Sequence, residues 1–249
     1  MMNRMAWLIA LGMIAAAFSA NAADIGLIMT DMTLQTQDGK TLAGSWIIPE
    51  HAKKKAPVVL LVHDYGLNRR DWNVFIPDLV EQGFAVLAMD LRGHGQSRSS
   101  EGETVPTQDD LLNVGLADIQ SALKWAAAQK AADAKRIGIV GAGLGGDLAF
   151  LARTAFVKNI KAAVVISPSY TTITDGKFSG MTANGILFCA SSKSKDGMSM
   201  MAADTLANFT KEPKKVVIYD SAAHGIALFY KHPEVKQDIL SWLNVLKKN

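Results

Sequence analysis

The chain of 249 residues has one cysteine, Cys189, so no intramolecular disulfide can brace it. No paired Cys/His spacing of a zinc site is present, and no metal is expected. Glycine and proline, 20 and 7 residues, stay near ordinary averages and show no period, which excludes collagen-like repeats and low-complexity linkers. Charge of one sign is also scarce: 26 basic residues face 23 acidic ones, without a long basic run or basic–aromatic alternation, so nothing points to nucleic acid. Long hydrophobic runs are absent except at the start, which excludes a multi-span membrane protein. What remains, 49% hydrophobic and 20% charged residues, describes a folded protein of one large α/β domain or two small ones.

The first 23 residues stand apart. Arg4 precedes an apolar stretch from Ala6 to Phe18, and the small residues Ser19-Ala20-Asn21-Ala22-Ala23 follow. A positive charge, a short apolar core and an A-x-A-like end are what a signal peptidase reads. At about 13 residues the run is short of the roughly 20 that span a bilayer, so no stable membrane anchor is expected. Residues 1–23 are therefore expected to be a cleaved signal peptide. A single mature domain, 24–249, would be exported, most simply to a bacterial periplasm. Cys189 lies in the apolar run Ile186-Leu187-Phe188-Cys189-Ala190 and reads as a core side chain rather than a reactive thiol.

Along the mature chain, short β-branched runs alternate with helix-length amphipathic stretches, the pattern of a mostly parallel sheet with helices on both faces. Segments 25–36 and 41–48 flank Asp38-Gly39 and predict a hairpin. Further strands are expected at 57–62, 85–90, 136–140, 162–167, 185–190 and 214–219, giving eight in all. Helices are expected near 71–82, 108–130, 144–155 and 233–247, with another starting around Met198, Met200 and Met201, whose default role is core or lid packing. Only 168–184 leaves room for a lid, so no sizeable cap domain is expected.

Three segments carry a resemblance that spans the mature chain. Leu61-Val62-His63-Asp64-Tyr65-Gly66 is similar to the strand-plus-turn of the α/β-hydrolase superfamily, and Asp90-Leu91-Arg92-Gly93-His94-Gly95-Gln96-Ser97 resembles its next strand-end loop. Gly141-Ala142-Gly143-Leu144-Gly145-Gly146 sits where that family carries its nucleophile elbow, G-x-S-x-G. Within that family the chain is similar to the small, capless carboxylesterase and dienelactone-hydrolase-like members. The resemblance implies the α/β-hydrolase fold, no cofactor, and an oxyanion hole from the backbone N–H groups of Tyr65 and Leu144.

The departure is at the elbow, where Gly143 takes the serine's place and offers no oxygen to attack an acyl carbon. His224, in Tyr219-Asp220-Ser221-Ala222-Ala223-His224-Gly225, matches the family's histidine. The acid position aligns with Ser194, and Asp196 could serve if its loop bends differently. Loss of the nucleophile removes about 10⁶ in rate. The chain is therefore expected to be a pseudoenzyme that binds a small ester or acyl ligand. Two alternatives are a slow ester or lactone hydrolase, using water activated by His224 or a displaced serine (Ser97, Ser167 or Ser191), and a periplasmic interaction scaffold. The same glycines also satisfy G-x-G-x-x-G, but the acid expected about 20 residues later on the next strand is missing, since that strand ends Val165-Ile166-Ser167-Pro168. His63 and His94 read as structural residues holding their loops.

Overall fold

A computed structural model describes residues 26–98, 104–169, 183–194 and 198–248. The expected signal peptide, Asp196 and most of segment 168–184 lie outside them. Eight strands form one sheet: β1 (Leu27–Gln35), β2 (Thr41–Pro49), β3 (Ala56–Val62), β4 (Ala85–Met89), β5 (Ala132–Ala142), β6 (Ile160–Ile166), β7 (Ile186–Ser191) and β8 (Lys214–Tyr219). Their order is β1-β2-β4-β3-β5-β6-β7-β8. The first two pairings, β1 with β2 and β2 with β4, are antiparallel, and all others are parallel.

The helices are α1 (Ile76–Glu81), α2 (Gln108–Ala127), α3 (Leu144–Ala155), α4 (Met198–Asn208), α5 (Ala227–Lys231) and α6 (Glu234–Leu243), with 3₁₀ turns at Arg69–Val74 and Asn244–Lys247. The helix expected over 71–82 is two pieces. Pro77 enters the first turn of α1, and its missing N–H cannot continue the preceding 3₁₀ turn. β5 starts earlier than expected because Ala132 pairs with Ala56 across an irregularity in the ladder. Helix α2 opens on a reciprocal cap: Asp110 N–H donates to Thr107 Oγ1 at 3.2 Å and Thr107 N–H donates to Asp110 Oδ2 at 3.0 Å.

The parallel strands β3, β4 and β7 are buried along their whole length on both faces, which is why they read as continuous apolar runs rather than alternations. Val58, Leu60 and Val62 of β3 face a core built with Leu111, Ile119, Leu148 and Leu206. Val59 and Leu61 face the opposite core, with Trp72, Phe75, Phe229 and Leu243. Cys189 is wholly buried in that second core, and burial pushes its thiol up to about 12. Met198 and Met201 stand exposed on α4, so they do not pack in the core. Among the described residues no cap domain stands over the sheet, and no helix is long and apolar enough to cross a membrane.

Strand order reverses at β3: the chain moves to β4 on one side and returns to β5 on the other. In open α/β sheets the crevice beyond the carboxyl ends at such a point is the usual binding place. Val62 pairs with Gly141, so the residues that leave β3 and β5, including Asp64 and Gly143, emerge side by side there.

Candidate active site

Gly143 joins β5 to α3 at φ 53° and ψ −123°, a conformation that strongly favours glycine. The sharp strand-to-helix turn is thus present without a side chain at its tip. Two neighbouring glycines are dictated by close approach. A Cβ on Gly141 would strike the backbone of Gly145, and one on Gly145 would strike the carbonyls of Val62 and His63. That packing accounts for the glycine spacing without a nucleotide.

The space above Gly143 is filled from β3. A Cβ placed on Gly143 would overlap the carboxyl group of Asp64. Asp64 Oδ1 accepts from its neighbour's backbone, Tyr65 N–H, at 2.7 Å, and from Leu144 N–H at 2.9 Å. These are the two donors assigned by resemblance to an oxyanion, and here they hold a carboxylate of the protein itself. Each such charge-assisted bond is worth about 1.5–3 kcal/mol. Helix α3 has no side-chain cap from its own N-terminal residue, so Asp64 also supplies the anion that its first free N–H favours.

His224 lies on the loop between β8 and α5, and its Nε2 stands 3.3 Å from Asp64 Oδ2. The two side chains are 42% and 20% exposed, so neither is sealed in the core. Their loop is pinned from beneath. Gly225 N–H donates to Ser167 Oγ at 2.9 Å, and the Ser191 hydroxyl donates to the Ala223 carbonyl. Ser167 is itself held at φ 49° and is wholly buried.

The three serines considered as displaced nucleophiles are therefore occupied elsewhere. Ser167 and Ser191 brace the histidine loop, while Ser97 is buried, accepting from Ala43 N–H and donating to the Asp90 carbonyl, both at 2.8 Å. Ser194, aligned with the acid position, has a buried hydroxyl without a hydrogen-bond partner among the described residues. Asp196 lies outside the described residues.

His63 and His94 hold the neighbouring loops. His63 Nε2 accepts from Leu91 N–H at 2.9 Å, and its Nδ1–H donates to the Asp64 carbonyl at 2.6 Å. Burial pushes the His63 pKa below its ordinary value of 6.5. His94 Nε2 accepts from Gly66 N–H at 3.0 Å. Beneath both, Arg69 pairs with the wholly buried Asp90, which also accepts from Arg69 N–H at 2.7 Å and Gln96 N–H at 2.8 Å.

Asp64, to which the sequence pattern assigns no role, is the residue that the structure adds to the candidate site. The available signal was an acid one residue past His63, facing an elbow that had lost its side chain. Among the described residues no group of three His, Cys, Asp or Glu side chains could hold a metal ion.

Known proteins resemble this chain to different degrees. An Escherichia coli uncharacterized 31.7 kDa protein from the traX-finO intergenic region is 34% identical over 113 residues, 45% of this chain and 37% of that protein. A Pseudomonas putida carboxymethylenebutenolidase is 27% identical over 139 residues, 50% of this chain and 56% of that enzyme. The chain thus spans between a third and three fifths of these curated relatives. Among solved structures, a Pyrococcus furiosus esterase superposes with a TM-score of 0.70 at 19% identity, covering 89% of this chain and 92% of the esterase. A putative dienelactone hydrolase from Klebsiella pneumoniae gives 0.62 at 20% identity, covering 87% and 98%. These likenesses show the α/β-hydrolase fold. The family model for X-Pro dipeptidyl-peptidase (S15 family) matches residues 38–228, a span that holds Asp64, Gly143 and His224 together, and the chain belongs to that family of the α/β-hydrolase superfamily.

Proposed function

We propose that this protein is an exported α/β-hydrolase that has given up the serine acyl-enzyme and is inert toward ordinary esters. One observation carries the reading: the Asp64 carboxylate fills the space above Gly143 and takes both backbone N–H groups that an acyl oxyanion would need. A hydrolase stripped of its nucleophile keeps about 10³–10⁴ over water through its oxyanion hole and substrate binding. Here that residue of activity is opposed as well, because a substrate carbonyl must displace a carboxylate from its donors. Engagement of Ser97, Ser167 and Ser191 in buried hydrogen bonds argues against a displaced serine.

The ligand we infer is a small ester or acyl compound bound beside Asp64 and His224, the class suggested by relatives named as an esterase and a carboxymethylenebutenolidase. Export rests on the charge and apolar pattern of residues 1–23. The test is p-nitrophenyl acetate hydrolysis by protein lacking residues 1–23, beside His224→Ala, together with labelling by a fluorophosphonate. The expected result is no turnover above that variant and no labelled serine. Ester turnover that vanishes in His224→Ala, with a serine tagged, would overturn the reading. N-terminal sequencing of protein from a periplasmic fraction tests export, with a start near Ala23 expected.

A further inference from the structure

The two edges of the sheet differ in charge. At the carboxyl ends of the parallel strands acids and bases are mixed and tied to one another, as Arg69 is to Asp90 and Lys193 to Asp220. The amino ends are entered mainly from lysine. Lys55 precedes β3, Lys135 and Arg136 lead into the regular ladder of β5, Lys161 lies at the start of β6, and Lys214 begins β8. Lys248 ends beside them, because the last 3₁₀ turn packs against β5 and the Arg136 guanidinium donates to the Leu246 carbonyl. The acids of this edge are few. Asp133 Oδ2 accepts from Arg136 Nε at 2.8 Å, Glu212 Oε2 accepts from Lys214 N–H at 3.0 Å, Glu50 faces His51, and Glu81 stands near Lys54. The exposed ammonium groups of Lys55, Lys135 and Lys248 form no hydrogen bond or ion pair among the described residues.

Three open hollows run side by side along this edge, of about 530, 560 and 240 Å³. Arg136 lines the first two, and Lys161, Val245 and Lys248 line the last two, so the hollows adjoin as one trough. Apolar surface lies among the cations: Val245 is 49% exposed, and Trp242 and Pro213 line the third hollow. The described residues also begin here, with Gly26 in the first hollow, so the apolar run Ala6–Phe18 joins the fold at this face.

We propose that the amino edge of the sheet is a docking surface for a bilayer containing anionic phospholipid. Lysines on flexible stems reach headgroup phosphates as point charges, while Val245 and Trp242 supply apolar contact at the interface. The cations are spread widely enough for a surface rather than a single small anion: Lys55 and Lys214 enter strands four places apart in the sheet, a separation of about 19 Å. Nucleic acid fits this edge less well. Its phosphates and bases favour arginine forks and open aromatic faces. The trough has one arginine, already bound to Asp133, and one tryptophan, whose indole N–H donates to the Gly185 carbonyl at 3.4 Å. The seven residues of β3 make a strand about 23 Å long, so a protein docked by this edge holds its cleft clear of the lipid. The proposal does not depend on what the cleft does.

The experiment sediments protein lacking residues 1–23, whose apolar run would itself partition into lipid, with vesicles of phosphatidylcholine alone or mixed with phosphatidylglycerol. All eight strands start at Leu27 or beyond, so this protein keeps the whole sheet. Binding is expected only to the anionic vesicles, and salt of about 1 M, which cuts the reach of charge to about 3 Å, should release it. A triple variant, Lys135→Glu, Lys161→Glu and Lys248→Glu, should bind about 10²-fold more weakly, since each lysine near such a surface is worth about fivefold. A second triple variant, Arg70→Glu, Lys193→Glu and Lys231→Glu, makes the same change of net charge on exposed cations outside this edge and should lose far less. Bound wild type should take up deuterium more slowly over 157–161 and 244–248, with 220–226 unchanged. No sedimentation with anionic vesicles, equal sedimentation with neutral ones, or equal losses in the two triple variants overturns the proposal. Tighter binding to a double-stranded DNA fragment than to the vesicles at the same salt also overturns it.

Discussion

The two sides of the cleft differ in how tightly they are held. On the β4 side, Asp90, Arg69, Ser97, His63 and His94 are buried, and each forms hydrogen bonds within its loop or to the next. On the other side, the buried Gly143 meets the partly exposed side chains of Asp64 and His224, a group whose chemistry departs from the pattern it resembles. The bonds that shape the loops run through backbone groups and buried side chains and do not involve the tip of the elbow. A change at that tip can therefore alter chemistry while the frame stays intact.

Breaking the frame should have the largest effect. Asp90→Ala would leave the buried Arg69 guanidinium without its main partner, and removing one member of a buried pair costs about 3–5 kcal/mol. A urea midpoint that moves little would contradict the division between frame and site. Gly143→Ser comes next. Its side chain meets the Asp64 carboxyl at a positive φ, so we expect a loss of about 1–3 kcal/mol and no esterase activity. Combining it with Asp64→Gly clears the space and frees both N–H groups, and should raise p-nitrophenyl acetate hydrolysis at least ~10²-fold above wild type. A single Gly143→Ser variant as active as the double would show that Asp64 is no obstacle.

The pH dependence follows from His63. Its folded pKa lies below the ordinary 6.5 because it is buried, so below that pH the unfolded chain binds a proton that the folded one refuses. Stability contributed by neutral His63 is complete above about pH 6.5 and falls as pH drops toward the folded pKa, by at most about 1.4 kcal/mol per pH unit for one proton. Protonation would also set an N–H at Nε2 against Leu91 N–H. Thermal midpoints from pH 7.5 down to 5.0 measure this, and the slope should flatten in a folded His63→Gln variant. Asp64→Asn is expected to cost about 1–2 kcal/mol, since the amide oxygen can still accept from Tyr65 and Leu144 but only through neutral bonds.

Much of the frame could be read from the sequence because it rests on local signals. Val58 to Val62 is apolar on both faces, Thr107 and Asp110 form a cap at the right spacing, and the glycines between β5 and α3 announce a sharp turn. The break between the 3₁₀ turn and α1 was missed although Pro77 marks it, since apolar spacing over 71–82 suits one helix as well as two pieces. Asp64 was beyond local reading for another reason. Its role depends on the pairing of Val62 with Gly141, a long-range register that sets the carboxylate over a residue 79 positions away (143 − 64). His224 was identified by motif, but the partner that the structure gives it comes from the other half of the chain.

The sharing of Asp64 Oδ1 by the amides of Tyr65 and Leu144 also makes the cleft able to report on itself. Both hydrogens are held by the same carboxylate oxygen, so their exchange with solvent is expected to require that the carboxylate let go. A ligand that pushes Asp64 aside without replacing its bonds is expected to speed their deuterium uptake. Occupancy of the site can thus be followed amide by amide, with no need for a chromogenic substrate or any turnover.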